Sequence, residues 1–220
     1  MPEGGASPAW TQIISGSDAG ILSCIRLPGV ELALWRRSLP PALGAALAAA
    51  DPARYPDGRL LVRPADLPAA LAGLLAVGGL PQPAGDALTA DIIDLGRRFA
   101  DLFGLEAVDL RLEALAHDAC WKFHRDHVPA RLVTTYEGPG TEWVVPALGA
   151  RAVEEQKDYN GPLERLTAGD VAIFRGCQPG HDHGIVHRSP PVAGTGVTRL
   201  FLCLNLPSPA SPALWQAPSA

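Results

Sequence analysis

The sequence has no long basic run and no excess of positive charge. It carries 18 Lys and Arg residues against 23 Asp and Glu residues, which gives a net charge of −5. Proteins that bind nucleic acids present clustered basic residues instead. We therefore expect no nucleic-acid partner.

No hydrophobic run is long enough to cross a membrane. A strongly apolar stretch, residues 40–50, is short and rich in Ala and Pro, whereas a spanning helix needs about 20 apolar residues. The first residues also lack the charged start and the apolar stretch of a secretion signal. We expect a cytoplasmic protein with no membrane partner.

The four cysteines are scattered singly, and no Cys-x-x-Cys pair occurs. They are Cys24, Cys120, Cys177 and Cys203. Structural zinc knuckles and dithiol redox sites use closely paired cysteines, so neither is indicated. Reduced thiols in a reducing compartment fit this pattern best.

The first half of the chain shows helical patterns after a loose start. Residues 1–20 are rich in Gly, Ser and Pro and predict a flexible arm. Residues 21–105 have the apolar spacing of a helical region. The predicted helices cover residues 32–37, 42–50, 64–77 and 86–103, and Gly104 is positioned to end the last one.

The second half has the pattern of short strands. Residues 108–114 alternate strictly between apolar and polar side chains, and Gly and Pro turns separate the segments that follow. The predicted strands cover residues 108–114, 131–136, 143–145, 171–174, 184–187 and 199–204. This series favours a sandwich or jelly roll over a parallel sheet. The predicted fold is α+β, a helical N-terminal layer packed on a β-barrel at residues 106–208, with a tail at 209–220.

Three residues of the second half can form a metal site. His124 and Asp126 are two positions apart, so on an extended segment both side chains point to one face. His187, at the end of a later predicted strand, would complete a set of two imidazoles and one carboxylate. Non-haem iron(II) oxygenases use this donor set and keep the opposite positions open. The alternative is a surface charge cluster, because a His-x-Asp tripeptide also recurs by chance.

Arg199 is an unusual charge at the start of an apolar strand. It needs a partner, either a carboxylate of the protein at the barrel's rim or the acid group of a ligand. Arg131 is a second candidate for the ligand role, and Thr134 and Tyr136 can add hydroxyl donors. Both hydroxyl residues are equally consistent with packing in a strand.

A second set of metal donors lies further along the chain. Cys177, His181 and His183, together with His187, offer a sulfur and three imidazoles that suit zinc. Residues 178–180 (Gln-Pro-Gly) indicate a turn, and polar residues of such a loop can also surround a site without binding the metal. Zinc capture here is the alternative to the first set.

Four segments together resemble the family catalogued as domain of unknown function 1826. They are residues 123–126 (Phe-His-Arg-Asp), 135–143 (Thr-Tyr-Glu-Gly-Pro-Gly-Thr-Glu-Trp), 169–173 (Gly-Asp-Val-Ala-Ile) and 187–191 (His-Arg-Ser-Pro-Pro). The resemblance covers nearly the whole chain, and it implies a role in zinc homeostasis as one alternative. Thr141 and Trp143 of the second segment are candidate pocket residues, and Trp121 and Phe174 are candidate apolar walls.

More remotely, the order of His124, Asp126, His187 and Arg199 is similar to that in iron(II) and 2-oxoglutarate-dependent dioxygenases. The similarity implies a double-stranded β-helix, a cupin-like jelly-roll barrel, with iron(II) held by the first three residues. It also implies that Arg199 binds the far carboxylate of 2-oxoglutarate, with help from the neighbouring hydroxyl residues. The substrate would be an unknown small molecule or peptide.

Two other classes of function stay open. A cupin-like isomerase or hydrolase would use the same barrel and metal without 2-oxoglutarate, so Arg199→Ala would leave its activity largely intact. A metal-binding or metal-delivery protein that is not an enzyme would use His181, His183 and His187 and would prefer zinc to iron.

Overall fold

Ten strands of the described residues form two sheets. A computed structural model describes residues 12–78, 80–177 and 184–218. The strands are β1 (Gln12–Gly16), β2 (Val30–Trp35), β3 (Gly58–Val62), β4 (Val108–Leu115), β5 (Ala130–Glu137), β6 (Glu142–Trp143), β7 (Glu164–Arg165), β8 (Val171–Arg175), β9 (His187–Arg188) and β10 (Arg199–Asn205). The larger sheet has the order β1-β2-β8-β5-β10-β4-β3, and the smaller one has the order β7-β6-β9. Only β1 and β2 pair in parallel among these described strands.

Three helices pack against one face of the larger sheet. They are α1 (Pro41–Ala49), α2 (Leu67–Gly78) and α3 (Gln82–Phe103). The buried face of α3 has helical spacing and includes Leu88, Ile92, Leu95 and Phe99. These side chains share one core with alternate residues of β10, namely Leu200, Leu202 and Leu204. The helix ends at Gly104, whose φ of 63° is in the left-handed region that favours glycine.

The opposite face of the larger sheet packs against the smaller sheet. Leu34, Val133, Ala172 and Cys203 of the larger sheet form a second core, and Trp143 and Ile185 pack there from the other side. Because successive strand residues point to opposite faces, β10 directs its leucines to the helices and Phe201 and Cys203 to this side. A fourth helix, α4 (Pro146–Glu155), packs beside Val144 and Val186.

Most of the predicted elements are confirmed, as is the mixed α and β composition. The helices predicted at residues 42–50, 64–77 and 86–103 correspond to α1, α2 and α3. The strands predicted at residues 108–114, 131–136, 171–174 and 199–204 correspond to β4, β5, β8 and β10, whereas those predicted at 143–145 and 184–187 share only one residue each with the short strands β6 and β9. Among the described residues, no helix has both the length and the apolar character that a membrane crossing requires.

The N-terminal region is not the helical layer that the sequence predicted. Residues 32–37, predicted as a helix, lie mostly in β2, between β1 and β8. Five of the six residues of β2 are buried, and a strand covered on both faces lacks the alternation that identifies strands. The predicted arm is shorter, because residues 12–16 form β1. The division at residue 105 is therefore wrong, since β1, β2 and β3 belong to the same sheet as later strands.

The predicted tail at residues 209–220 covers an edge of the larger sheet. Leu214 forms a bridge with Leu61 of β3, and the Trp215 amide donates to the Leu61 carbonyl at 2.7 Å. The Ser211 hydroxyl donates to Asp109 of β4, also at 2.7 Å. An edge strand that would otherwise offer free backbone groups is thus partly paired.

Candidate metal centre

His124 and His187 face each other on neighbouring backbone segments. The amide nitrogen of each donates to the carbonyl oxygen of the other, with an N···O distance of 3.0 Å in both directions. Asp126 follows His124 by two positions, and one ligand atom from each of the three residues lies within 4.8 Å of the others. The structure therefore brings together the three residues whose spacing suggested a metal site.

Both imidazole rings are oriented by hydrogen bonds of their Nδ1 atoms. Nδ1 of His124 lies 2.8 Å from the carbonyl oxygen of Lys122, and Nδ1 of His187 lies 2.9 Å from that of Ile185. A carbonyl only accepts, so each Nδ1 carries a proton, and the lone pair of the neutral ring is then on Nε2. These Nε2 atoms lie 3.8 Å and 3.5 Å from the Asp126 carboxylate oxygens. Both rings thus present a metal-binding nitrogen to the same carboxylate.

The two oxygens of Asp126 have different surroundings. Oδ1 accepts a hydrogen bond from Nη1 of Arg131 at 2.5 Å. Oδ2 is buried and has no hydrogen-bond partner among the described residues. A buried carboxylate oxygen without a donor is costly, and a bound cation would satisfy it. Burial also lowers the pKa of His187 to about 4, so that its imidazole is neutral near pH 7 and can donate its lone pair.

Arg131 supports the carboxylate and does not stand free for a ligand. Its Nη1 contacts Asp126, and its Nε donates to Oδ1 of Asn205 on the adjacent β10 at 2.8 Å. The guanidinium is thus held on both sides by side chains of the protein. The prediction that Arg131 binds the acid group of a cofactor is corrected accordingly, because its charge already neutralises Asp126.

Arg199 is buried, at 1% exposure, and forms no ion pair with a carboxylate of the described residues. Its guanidinium donates to three neutral oxygens: Pro139 O at 2.6 Å, Ser189 Oγ at 3.0 Å and Thr135 Oγ1 at 3.3 Å. Burial lowers the pKa of Arg199 to about 10, which still leaves it charged near pH 7. A buried cation without an anion favours binding of an anionic ligand group. The alternative of a salt bridge at the rim is not found in the part of the chain that the structure describes.

The turn after β5 holds Arg199 by close packing. Gly138 has a φ of +83°, and a Cβ atom there would lie 3.1 Å from Cγ and 3.2 Å from Cα of Arg199. Glycine is favoured for both reasons, the backbone conformation and the close approach. The next residue, Pro139, supplies the carbonyl oxygen that accepts from Arg199 Nε. The Gly-Pro-Gly segment is therefore part of the arginine's environment as well as a strand connection.

Tyr136 and Thr134 lie on the opposite face of the sheet from the site. The Tyr136 hydroxyl donates to Asp91 of α3 at 2.7 Å. Thr134 is paired with Leu202, which packs in the helical core. Their predicted contact with a keto acid is therefore wrong, because alternate residues of β5 point to the helices. The hydroxyl groups that contact Arg199 belong instead to Thr135 and Ser189. Strand alternation could have placed Thr135 on the same face as Arg131, whereas no sequence pattern predicts the role of Ser189.

A small cavity of about 80 Å³ opens beside the histidines. Its lining includes His124, His187, Thr141 and Ser189, so it extends from the candidate metal ligands to a residue that contacts Arg199. Thr141 is thus a pocket residue, as predicted. Trp143 and Phe174 pack in the core between the sheets, and the Phe174 ring centroid lies 4.6 Å from that of His187.

The second predicted donor set lies only partly within the described residues. His181 and His183 lie outside the described residues. Cys177 is described, and its backbone amide donates to the carbonyl oxygen of Asp126 at 2.7 Å. His187, shared by both sets, belongs to the cluster with His124 and Asp126.

The family model that matches this chain is described as protein of unknown function (DUF1826), and it matches residues 16–205. The chain belongs to this family. The resemblance proposed from the four sequence segments is thereby confirmed. For this DUF1826 member, no curated protein matches in sequence.

Several solved structures are similar to this DUF1826 chain at low identity. The dioxygenase for auxin oxidation 1 from Arabidopsis thaliana, in complex with 2-oxoglutarate, is 13% identical with a TM-score of 0.45, covering 91% of this chain and 95% of its own. A prolyl-4-hydroxylase from Pseudomonas putida is 14% identical with a TM-score of 0.43, covering 86% and 98%. A cupin protein from Bacteroides fragilis is 13% identical with a TM-score of 0.27, covering 55% and 83%. Because all three TM-scores are below 0.5, these similarities alone assign no function to the chain.

Proposed function

We propose that this chain is a non-haem iron(II) and 2-oxoglutarate-dependent oxygenase of the hydroxylase type. One juxtaposition carries the proposal. The His-Asp-His cluster has a buried carboxylate oxygen without a hydrogen-bond partner among the described residues, and one cavity is lined both by its two histidines and by Ser189, which accepts from the buried Arg199. We propose as well that the two facing sheets form a double-stranded β-helix, with β1 to β3 as additions to it.

The cluster fits a divalent metal by the chemistry of its donors. His124 and His187 would bind through Nε2 and Asp126 through Oδ2, which is the donor set of non-haem iron(II) sites with open positions. When bound, iron(II) with 2-oxoglutarate supplies oxygen activation: the keto acid loses CO₂ to become succinate, and the two oxygen atoms of O₂ go to succinate and to a substrate C–H bond, which becomes C–OH. The protein's own residues bind, orient and shield these groups.

The carboxylate subsite is proposed at Arg199. Its guanidinium would hold the far carboxylate of 2-oxoglutarate, and the hydroxyls of Thr135 and Ser189 keep the guanidinium in position. Arg131 has a different task, because it holds Oδ1 of Asp126 and leaves Oδ2 for the metal. The ring of Phe174 beside His187 excludes water from that side of the cluster.

The test is an anaerobic titration of metal-free protein, first with iron(II) and then with 2-oxoglutarate, followed by the visible charge-transfer band of a chelated keto acid. We expect a band in the native protein and in the control Arg59→Gln, whose arginine lies outside the cavity. His187→Ala should lose iron, whereas Arg199→Gln should keep iron and lose the band. Bound iron without a band at saturating 2-oxoglutarate would reject the proposal.

The second candidate is a cupin-like metal protein or zinc-homeostasis factor that uses no 2-oxoglutarate. It is favoured by the same ligands, because two imidazoles and a carboxylate bind zinc more tightly than iron(II). In that case the protein should bind zinc at His124, Asp126 and His187, and Arg199→Gln should change neither metal affinity nor activity.

A further inference from the structure

One wall of the cavity beside the histidines carries a charged pair. Arg111 and Glu113 of β4 are two positions apart, so both side chains point to the face that packs toward the smaller sheet. Both line the cavity that also contains His124 and His187. The part of the cavity wall that β4 forms therefore offers one cation and one anion side by side.

A single hydrogen bond joins this pair. Nη2 of Arg111 donates to Oε1 of Glu113 at 2.6 Å, and the side chains are 38% and 23% exposed. The other N–H groups of Arg111 and Oε2 of Glu113 make no hydrogen bond with the described residues. A partly exposed pair of this kind contributes little to stability, and it keeps donors and an acceptor for a ligand.

A neighbouring ion pair on the same face of the sheet shows what a structural pair looks like. Arg59 of β3 donates twice to Asp109, at 2.9 Å and 2.6 Å, and Asp109 also accepts from Ser211 at 2.7 Å. Neither member lines the cavity. Both oxygens of Asp109 thus have protein donors, and the pair connects β3, β4 and the C-terminal segment. In contrast, the side chains of Arg111 and Glu113 hydrogen-bond only to each other within the described structure.

The geometry points to a free α-amino acid as the ligand of this wall, its carboxylate on Arg111 and its ammonium on Glu113. A simple anion would be repelled by Glu113, and a simple cation would be repelled by Arg111. A neutral ligand would gain no charge interaction and would leave the pair intact. An α-amino acid carries both charges on one carbon, which matches two side chains joined by a single hydrogen bond. An internal peptide residue carries neither charge.

The neighbouring residues of this wall are apolar, which favours an amino acid whose own side chain is apolar. Phe201 lies directly opposite Glu113 on β10, and Leu115 follows on β4. Both line the cavity, as does Val133. An apolar side chain would be surrounded by them on the way to the histidines. The assignment rests on the proposed oxygenase for its chemistry, since the amino acid would be the molecule hydroxylated, but the binding itself does not depend on iron.

The experiment is ligand-observed saturation-transfer NMR on zinc-loaded protein with 2-oxoglutarate, because zinc supports no oxygen chemistry. The probes are L-valine, L-leucine, L-methionine and L-phenylalanine, each compared with its N-acetyl amide. We expect transfer to the free amino acids and none to the blocked forms. Arg111→Gln and Glu113→Gln should each weaken binding about tenfold or more, while Arg59→Gln should bind as the native protein does.

Three outcomes would overturn the inference: no transfer to any free amino acid, equal transfer to the blocked forms or to dipeptides, or native affinity in both variants. Each can occur while the keto-acid band of the oxygenase test is present. Failure here is thus distinguishable from failure of the proposed function.

Discussion

At the level of single residues, the contact between Arg131 and Asp126 explains why a buried carboxylate can keep one oxygen for a metal. The arginine neutralises the charge and fixes the carboxylate by a bond of 2.5 Å, and Asn205 fixes the arginine in turn. Partners of this kind orient metal ligands, and their loss typically costs about 10-fold to 100-fold in affinity.

We therefore expect Arg131→Gln to weaken zinc binding by about 10-fold to 100-fold. The measurement is competition with a chromophoric chelator, and circular dichroism checks that the variant is folded. Arg111→Gln is the matched control, because Arg111 lines the same cavity without contacting Asp126. An unchanged affinity in Arg131→Gln would show that the arginine does not orient the ligand.

The thiols of Cys203 and Cys120 line the same cavity but differ in exposure. Burial raises the pKa of Cys203 to about 11, and the thiolate is the reactive form. In native protein at pH 8, iodoacetamide should alkylate Cys120 and leave Cys203 unmodified until urea unfolds the chain. Peptide mapping by mass spectrometry measures both, and Cys120→Ser confirms the assignment. Rapid alkylation of Cys203 in the folded protein would contradict its burial.

At the level of elements, the turn that follows β5 has two requirements, a left-handed backbone and room for Arg199. Gly138 meets both. Gly194 meets only the first, because its φ is +73° and, apart from its two chain neighbours, no described residue has an atom within 4 Å of where a Cβ would stand. Alanine substitutions at these two glycines therefore distinguish the effect of backbone strain from the effect of displacing Arg199.

Gly138→Ala should lower affinity for 2-oxoglutarate without lowering metal affinity, because the added methyl group would push on Arg199. Gly194→Ala should cost a similar amount of stability, about 1 kcal/mol, and leave keto-acid binding unchanged. Titration of the charge-transfer band together with urea unfolding distinguishes the two effects. Equal keto-acid affinity in both variants would mean that the turn does not position Arg199.

At the level of the whole molecule, the larger sheet separates two tasks. Its helix-facing side carries the main core, and its other side carries the site. Adjacent residues of one strand therefore affect different properties. Thr134 and Thr135 are a matched pair, since one faces the helices without a hydrogen-bond partner in the described structure and the other accepts from Arg199.

Thr134→Val should leave keto-acid binding unchanged and leave stability equal or higher, because it removes a buried hydroxyl that is unsatisfied. Thr135→Val should weaken keto-acid binding, because Arg199 loses an acceptor. Both substitutions keep the shape of the side chain. Urea unfolding and the charge-transfer titration provide the two readouts, and the reverse pattern would contradict the assignment of the two faces.

Local pattern was enough where an element or a site depends on neighbours in sequence. The helical spacing of Leu88, Ile92, Leu95 and Phe99 predicted α3, and strict alternation predicted β4. The separation of His124 and Asp126 by one residue predicted that they converge. In contrast, β2 has no alternating pattern, because side chains on both of its faces are buried.

Residue chemistry and short-range periodicity were sufficient to predict the donor types, the candidate metal ligands and most helices and strands. The tertiary fold sets which arginine has a carboxylate partner: Arg131 lies against Asp126, whereas Arg199 donates to neutral oxygens alone among the described residues. It also decided that Thr135, not Thr134, serves the site. Both outcomes depend on strand register and on which face a distant segment covers, and no local spacing encodes either one.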